Sequence, residues 1–558
     1  MIKRGRKIVG LAIMSACFIM TMTGCMQSSD KGAENTTKQE VATVDPNLTK
    51  ATKMEYIIPE ENGEIFTEER QTSTKEEIDK KLSTTLYTPE APLVYYNPFG
   101  TNLRSANIYF TTEEASSVTY TISVEDETIP AFTRQLENGE ESGVTTNHAY
   151  QLVGFIPDMD NTVTLTFYNK DGAEIEKTSF VIAIPKVETA AEQKLTVEEV
   201  KDVKDDELTD GLFSVFYGRR NGQLVNIDLY DNDGILRGEL YVDGYRTDRI
   251  LFIDGYLYYS VDEDKIVKVN RLGQAEKIYQ LGQYEMHHDM AYQEDRNSFV
   301  ILANDTKQDT VEDMLIELNL ETGEVSELID LKDILPEAYE KAVLPKGDKK
   351  LDWAHVNAIQ FIEDDSVALS FRELSSIVKI GNIFDKPELE YILSDKNVWE
   401  GTSYESYVYD KVGDFTAQAG QHSITYVPGE KEGEYTMYLF NNNMTYSGTR
   451  RDIDWSGYTL AQVPEDERAS YYYEYKINEN DKTFELVDSF EVPYSGYVSS
   501  VQQVGDNQVI CSGAQKLFGE YDSEGNLLRQ YKSAKEQYIY RTFKYTFDGV
   551  WFAGNNNN

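Results

Sequence analysis

From residue 206 to residue 558 this chain repeats one theme: an extended apolar run, a tight polar turn and a second extended run. The words NIDLYDNDGILRGEL, IVKVNRLGQAEKIYQL, LIELNLETGEVSELIDL, YEYKINENDKTFELVDSF and LFGEYDSEGNLLRQY carry it plainly, with weaker versions near 375–393 and 435–450. Alternating runs broken by Gly and Asn/Asp turns are antiparallel strands joined by hairpins. The turns recur at intervals of about 40–60 residues, the period of one four-stranded blade of a β-propeller. Seven hairpins predict six blades if the first and last combine as the ring closes; the count by itself also permits seven.

A second all-β unit precedes this ring. Between 92 and 186, the runs NIYFTTE, SVTYTISVEDE, AYQLVGFIP, TVTLTFYNKDG and TSFVIAIP alternate at period two, which predicts a small antiparallel β-sandwich. Residues 187–205 read as a charged linker, and 56–91 as a lead-in carrying a short charged helix over 67–86. The fold class is therefore all-β, a six-bladed β-propeller over 206–558 behind an N-terminal sandwich.

The start of the chain reads as an address. Lys3, Arg4, Arg6 and Lys7 precede an apolar run over 8–22 that is too short for a spanning helix, so residues 1–24 are expected to be a secretory signal. Thr23 and Gly24 before Cys25 are the small residues a lipoprotein signal peptidase accepts, although Met22 stands where Leu is usual. Cys25 is the expected lipidation site, with a disordered tether over 25–55. That reading puts the protein outside the cytoplasm, held to the outer face of the cell membrane by its lipid alone. With Cys17 removed and Cys25 acylated, Cys511 is left with no disulfide partner and reads as a buried strand thiol.

Asp and Glu number 97 against 53 Lys and Arg, a net charge of -44, which argues against a nucleic-acid partner. An anionic substrate would need a local cluster of positive or hydrogen-donating groups. The histidines supply one candidate, since four of only five fall at His287, His288, His355 and His422, in EMHHDMAY, DWAHVNAIQF and AGQHSITYV. Each stands where an extended run begins, the position from which successive inner strands of a propeller converge on its channel. Arg372 and Asn357 accompany them, together the groups that would hold and transfer a tetrahedral oxyanion. Registering Ser298 on Ser366 sets His287 over His355, and alternation then sends His287 to the channel and His288 away from it. His148, in the sandwich, reads as structural. No pair among the histidines has close metal-ligand spacing, so neither a metal nor another cofactor is expected.

In order and spacing, NPFG at 97–100, HAYQLVGFIPDMDNTVTLTF in the sandwich, and HHD, DWxHxN, SxR and GQH in the ring resemble the bacterial arylsulfate sulfotransferases. That likeness covers most of the chain. It implies transfer of a sulfuryl group from a phenolic sulfate donor to a phenolic acceptor without a nucleotide sulfate. It also implies that His422 is the nucleophile, forming a sulfohistidine with ping-pong kinetics, and that His355, Arg372 and one of His287 and His288 complete the catalytic set, with Asn357 as a substrate-binding residue. Homodimer formation stays open. Two features depart from the family: the disulfide of some relatives is impossible here, and the arginine word reads SFREL. Rival readings are an aryl sulfatase, in which water takes the group, and a non-catalytic binding propeller, since fold alone does not fix function.

Overall fold

The computed structural model describes residues 48–60, 63–201, 203–218, 226–244, 248–458, 463–464 and 467–554. The expected signal segment and Cys25 lie outside the described residues. Part of the expected tether is built into the fold: Thr49–Lys50 pairs in parallel with Thr85–Leu86, and Glu55–Ile57 with Leu93–Tyr95. The predicted helix runs over Glu68–Leu82, capped by the Thr67 hydroxyl, with Glu68 and Glu69 in its first turn and Lys80 and Lys81 in its last, each sign favourable to the helix dipole.

The spine of the sandwich is one 19-residue strand, Ser105–Ser123. Its first half pairs with Leu93–Tyr96 and Thr145–Val153, and its second half with Phe132–Gln135 and Met159–Tyr168. A register break between Thr111 and Ser116 separates the halves, so one strand serves both layers. Val163, Leu165 and Phe167 alternate inward from Met159–Tyr168 onto Val118, Tyr120 and Leu152. NPFG is a tight turn in which the Gly100 N–H donates to the Asn97 carbonyl at 3.1 Å and Phe99 enters the core.

Six sheets form the ring. Six of the predicted hairpins are real, and each is the outer pair of one blade: for example Lys265–Val269 with Ala275–Gln280, and Leu517–Tyr521 with Leu527–Lys532. The seventh, near 435–450, is not a hairpin, because Glu434–Asn441 runs into a long connection and pairs with Ala469–Asn478. Closure comes from the chain's last strand, Ile539–Tyr545, which pairs with Leu212–Tyr217 and completes the first blade from its inner side. The linker reading also needs revision, since Thr196–Glu199 adds a fifth, outer strand beside Leu527–Lys532.

Apolar clusters fill the spaces between blades. Ala358 and Ile377 meet Ile424, Met437 and Tyr475 in one; Tyr258 and Ile266 meet Phe299 and Ile316 in another. The buried Cys511 sits between the last and first blades, its thiol pushed up to about 12 by burial. The sandwich is fastened to the ring by polar bonds: the Thr101 hydroxyl donates to the Gly273 carbonyl at 2.6 Å, and the Trp551 indole N–H to Gln151 at 2.8 Å. A Cβ on Gly273, which has φ +81°, would lie 2.3 Å from the Gln151 amide, so this hairpin turn approaches the sandwich as only glycine permits.

Candidate active site

The inner strands of three successive blades, Tyr284–Gln293, Val356–Glu363 and His422–Pro428, lie side by side at the hub. Each loses regular pairing at or just after its histidine, with register shifts between Met286 and Met290, Val356 and Ala358, and His422 and Thr425. His288, His355 and Ser423 adopt φ of 59°, 49° and 59°, left-handed backbone that non-glycine residues take at a cost. Bulges of this kind re-aim side chains beside active sites.

The bulge overturns the alternation argument for the HHD pair. His288, not His287, makes the central contacts: its ring lies 5.0 Å from that of His355, its Nδ1 is 2.5 Å from the Tyr540 hydroxyl, and its Nε2 is 3.0 Å from Glu312 Oε2. His287 is buried behind it, edge-on at 5.1 Å.

Glu312 Oε2 also lies 2.7 Å from Nδ1 of His355, whose same nitrogen is 2.5 Å from Asp352 Oδ2. Burial and the neighbouring Arg372 charge oppose protonation of His355, but the two carboxylates prevail and raise its pKa to about 9. Against its burial, Glu312 is held well below the carboxylate range by the charge of His355 and by hydrogen bonds from His355 and His288. His288 goes the other way, pushed well below 6.5 by burial. It is therefore neutral, donating from Nε2 to Glu312 and accepting at Nδ1 from the Tyr540 O–H.

His422 is 1% exposed, and its Nδ1 is 2.7 Å from the side-chain oxygen of Asn442. The Asn442 amide nitrogen donates to the carbonyls of Ser495 and Val498 at 2.7 and 2.9 Å, which fixes its oxygen toward His422. Nδ1 of His422 must then carry the hydrogen, leaving the Nε2 lone pair bare. Burial, reinforced by the charges of His355, Arg372 and Arg541, holds this imidazole well below 6.5 and therefore neutral.

Arg372 reaches His355 Nε2 at 3.2 Å and Glu373 Oε1 at 2.6 Å. Glu373 Oε2 in turn accepts from the Ser447 hydroxyl, from the Gly448 and Thr449 N–H groups and from the Thr449 hydroxyl, tying the arginine to the 447–449 loop. Asn357, expected to bind substrate, is fully buried with its amide nitrogen donating to the Gln421 carbonyl at 2.9 Å. Its place is that of a support for the peptide leading into His422. The Gln421 amide donates to Ser370, Phe371 and Ser376, locking the same turn.

A pattern described as Arylsulfotransferase (ASST) matches residues 197–548, and one described as Arylsulfotransferase Ig-like domain matches 93–185. The chain belongs to the arylsulfotransferase family. Comparison with curated proteins returns no match. Among solved structures, similar ones include a putative 6-phosphogluconolactonase from Bacteroides uniformis, at 10% identity and TM-score 0.32, covering 76% of this chain and 97% of that one. A streptogramin B lyase is similar at 11% identity and TM-score 0.31, covering 62% and 90%.

The arylsulfotransferase is thus a sulfuryl-transferring enzyme whose substrates are a phenolic sulfate donor and a phenolic acceptor. Its hub also brings together groups able to ligate metal, His287, His288 and Glu312 in one set and Glu312, Asp352 and His355 in another. The spacings of 2.5 to 3.0 Å along Asp352, His355, Glu312 and His288 are those of donor–acceptor pairs. The arylsulfotransferase site therefore has the geometry of a hydrogen-bonded ion-pair chain.

Sequence reasoning missed Asp352, although it stands inside the DWAHVN word at three residues from His355. It also missed Glu312, Glu373, Asn442 and Tyr540, which come from loops and from the closing strand and carry no local pattern. His148 is stacked on Phe110 at 4.7 Å in the sandwich core, where burial lowers its pKa to about 4.

Proposed function

We propose that the arylsulfotransferase transfers sulfuryl through a covalent sulfohistidine at His422, in ping-pong order. The observation that carries this reading is the Asn442 contact, which commits the His422 proton to Nδ1 and leaves Nε2 as a neutral nucleophile within the electrostatic reach of His355 and Arg372. Nε2 attacks sulfur as the sulfur–oxygen ester bond breaks, and that electron pair leaves on the phenolic oxygen. His355, protonated at neutral pH, supplies the proton that makes the departing group a phenol. The fork of Arg372 stabilises the equatorial oxygens, whose charge grows in an in-line displacement.

In the second half, the acceptor phenol gives its proton to His355 and its oxygen attacks sulfur. The nitrogen–sulfur bond breaks, its electrons return to Nε2, and the enzyme is restored. Splitting the transfer this way lets donor and acceptor use one site in turn.

Incubation with p-nitrophenyl sulfate alone should add about 80 Da, the mass of a held SO₃ group, to the peptide containing Gln421 and His422. Added phenol should discharge it. Absence of that adduct under single turnover, or a rate independent of added phenol, would overturn the reading in favour of direct transfer or hydrolysis.

The address read from the leader belongs to the same proposal: Cys25 carries lipid and holds the enzyme at the outer face of the cell membrane. Mass spectrometry of the mature amino terminus should find a diacylglyceryl group on Cys25; an unmodified cysteine there overturns the anchor.

A further inference from the structure

A cavity of about 240 Å³ opens directly on Arg372 and on Gly420, two residues before His422. Its walls are Met444, Tyr446, Tyr494 and Tyr497, with Gly496 at the back. These come from two connections of the same blade, the long one after Glu434–Asn441 and the one after Thr483–Pro493, which together deliver one aromatic wall.

Tyr446 is 59% exposed and Tyr497 46% exposed. Tyr497 is braced edge-on against Tyr538 at 5.5 Å, and the Tyr494 hydroxyl is 3.7 Å from Met444 Sδ, so the wall is held in place from behind. Space is kept by glycine: a Cβ on Gly496 would lie 2.8 Å from the Tyr494 hydroxyl and 3.5 Å from Met444 Sδ. In a chain of net charge -44, no carboxylate lines this cavity among the described residues, and its one charged lining side chain is Arg372.

An apolar, aromatic wall ending in a guanidinium fits a flat ring that carries an anionic ester. Pockets for drug-sized ligands run from roughly 300 to 1,000 Å³, so about 240 Å³ suits a single ring. We infer that Tyr446, Tyr494, Tyr497 and Met444 form the aryl subsite, which holds the ring of a one-ring phenyl sulfate with its sulfate on Arg372, and later the ring of a one-ring phenol. This rests on the transfer reading above and adds which surface selects the substrate. Tyrosine faces and the thioether supply stacking and sulfur–aromatic contact.

Three variants test it: Tyr446→Ala, Tyr494→Ala and the conservative Tyr494→Phe. With p-nitrophenyl sulfate and saturating phenol, each alanine variant should raise KM about five- to thirtyfold, the loss of roughly 1–2 kcal/mol of ring contact. Its kcat should stay within about threefold of the parent, and Tyr494→Phe should retain the parent KM. A second readout needs no turnover: His422→Ala protein should bind p-nitrophenol saturably, monitored by its absorbance shift, and the double variant with Tyr494→Ala should bind it at least fivefold more weakly. Unchanged KM and unchanged p-nitrophenol binding would overturn the subsite, as would a fall in kcat with KM unmoved. Failure of the parent enzyme to turn over would instead sink the transfer reading, while the binding arm would still judge the subsite.

Discussion

Glu312 reaches from the third blade to within 2.7 Å of His355 Nδ1 at the start of the fourth, and by that contact one carboxylate helps decide the charge of a neighbouring blade's imidazole. Glu312→Gln removes one of the two carboxylates that raise His355 to about 9. The protonated form should then be lost at lower pH, and the basic limb of kcat/KM should move down. Phenyl sulfate, whose leaving group needs a proton, should suffer more than p-nitrophenyl sulfate. A limb that does not move in a pH–rate series would separate His355 from the proton transfer.

The same shift carries a stability signature. Because folding raises the His355 pKa from 6.5 to about 9, its contribution is fully present below about pH 6.5 and is lost as pH rises through about 9. Urea unfolding of the parent should weaken across that window, and Glu312→Gln should flatten the dependence.

Asn442→Leu should free the His422 proton to move to Nε2. The wrong tautomer of a catalytic histidine can cost up to about 10⁴-fold in kcat, so a loss of at least about 10²-fold with KM little changed is the expected result. The variant also strips the donor from the Ser495 and Val498 carbonyls, a cost of roughly 1–3 kcal/mol that thermal unfolding should register.

Arg372→Lys keeps the charge and loses the fork. One nitrogen cannot serve Glu373 and the sulfate oxygens together as the fork does, so kcat/KM should fall about 10²–10³-fold. Steady-state kinetics with p-nitrophenyl sulfate check this; near-parental rates in the lysine variant would remove the bidentate role.

Glu373→Gln addresses the anchor behind that arginine. Glu373 is buried and accepts from Arg372 and the 447–449 loop, so neutralising it leaves a partly unpaired guanidinium. The melting temperature should drop, and KM should rise more than kcat falls, since Arg372 loses its bearing rather than its charge.

The ring was legible because hairpin turns such as DNDG, RLGQ and SEGN announce the outer pair of a blade wherever both strands are short and close in sequence. The false hairpin at 435–450 arose where apolar alternation in Glu434–Asn441 is real but its partner lies beyond a long connection. The histidines and Arg372 were legible through rarity and word order. Between His287 and His288 the sequence favoured His287, because period-two alternation presumes regular pairing, and the bulge between Met286 and Met290 breaks it. Asn357 was misassigned because a side-chain amide near a site is ambiguous until its hydrogen bond to Gln421 is seen. Glu312, Asn442 and Tyr540 were invisible because their partners are 43, 20 and 252 residues away.

The strand Ile539–Tyr545 that shuts the ring also delivers the Tyr540 hydroxyl to His288 and lays Arg541 against the Asn357 carbonyl. A polypeptide leaving the ribosome therefore carries every histidine of the hub before His288 has its hydroxyl partner and before the carbonyl of Asn357 has its guanidinium.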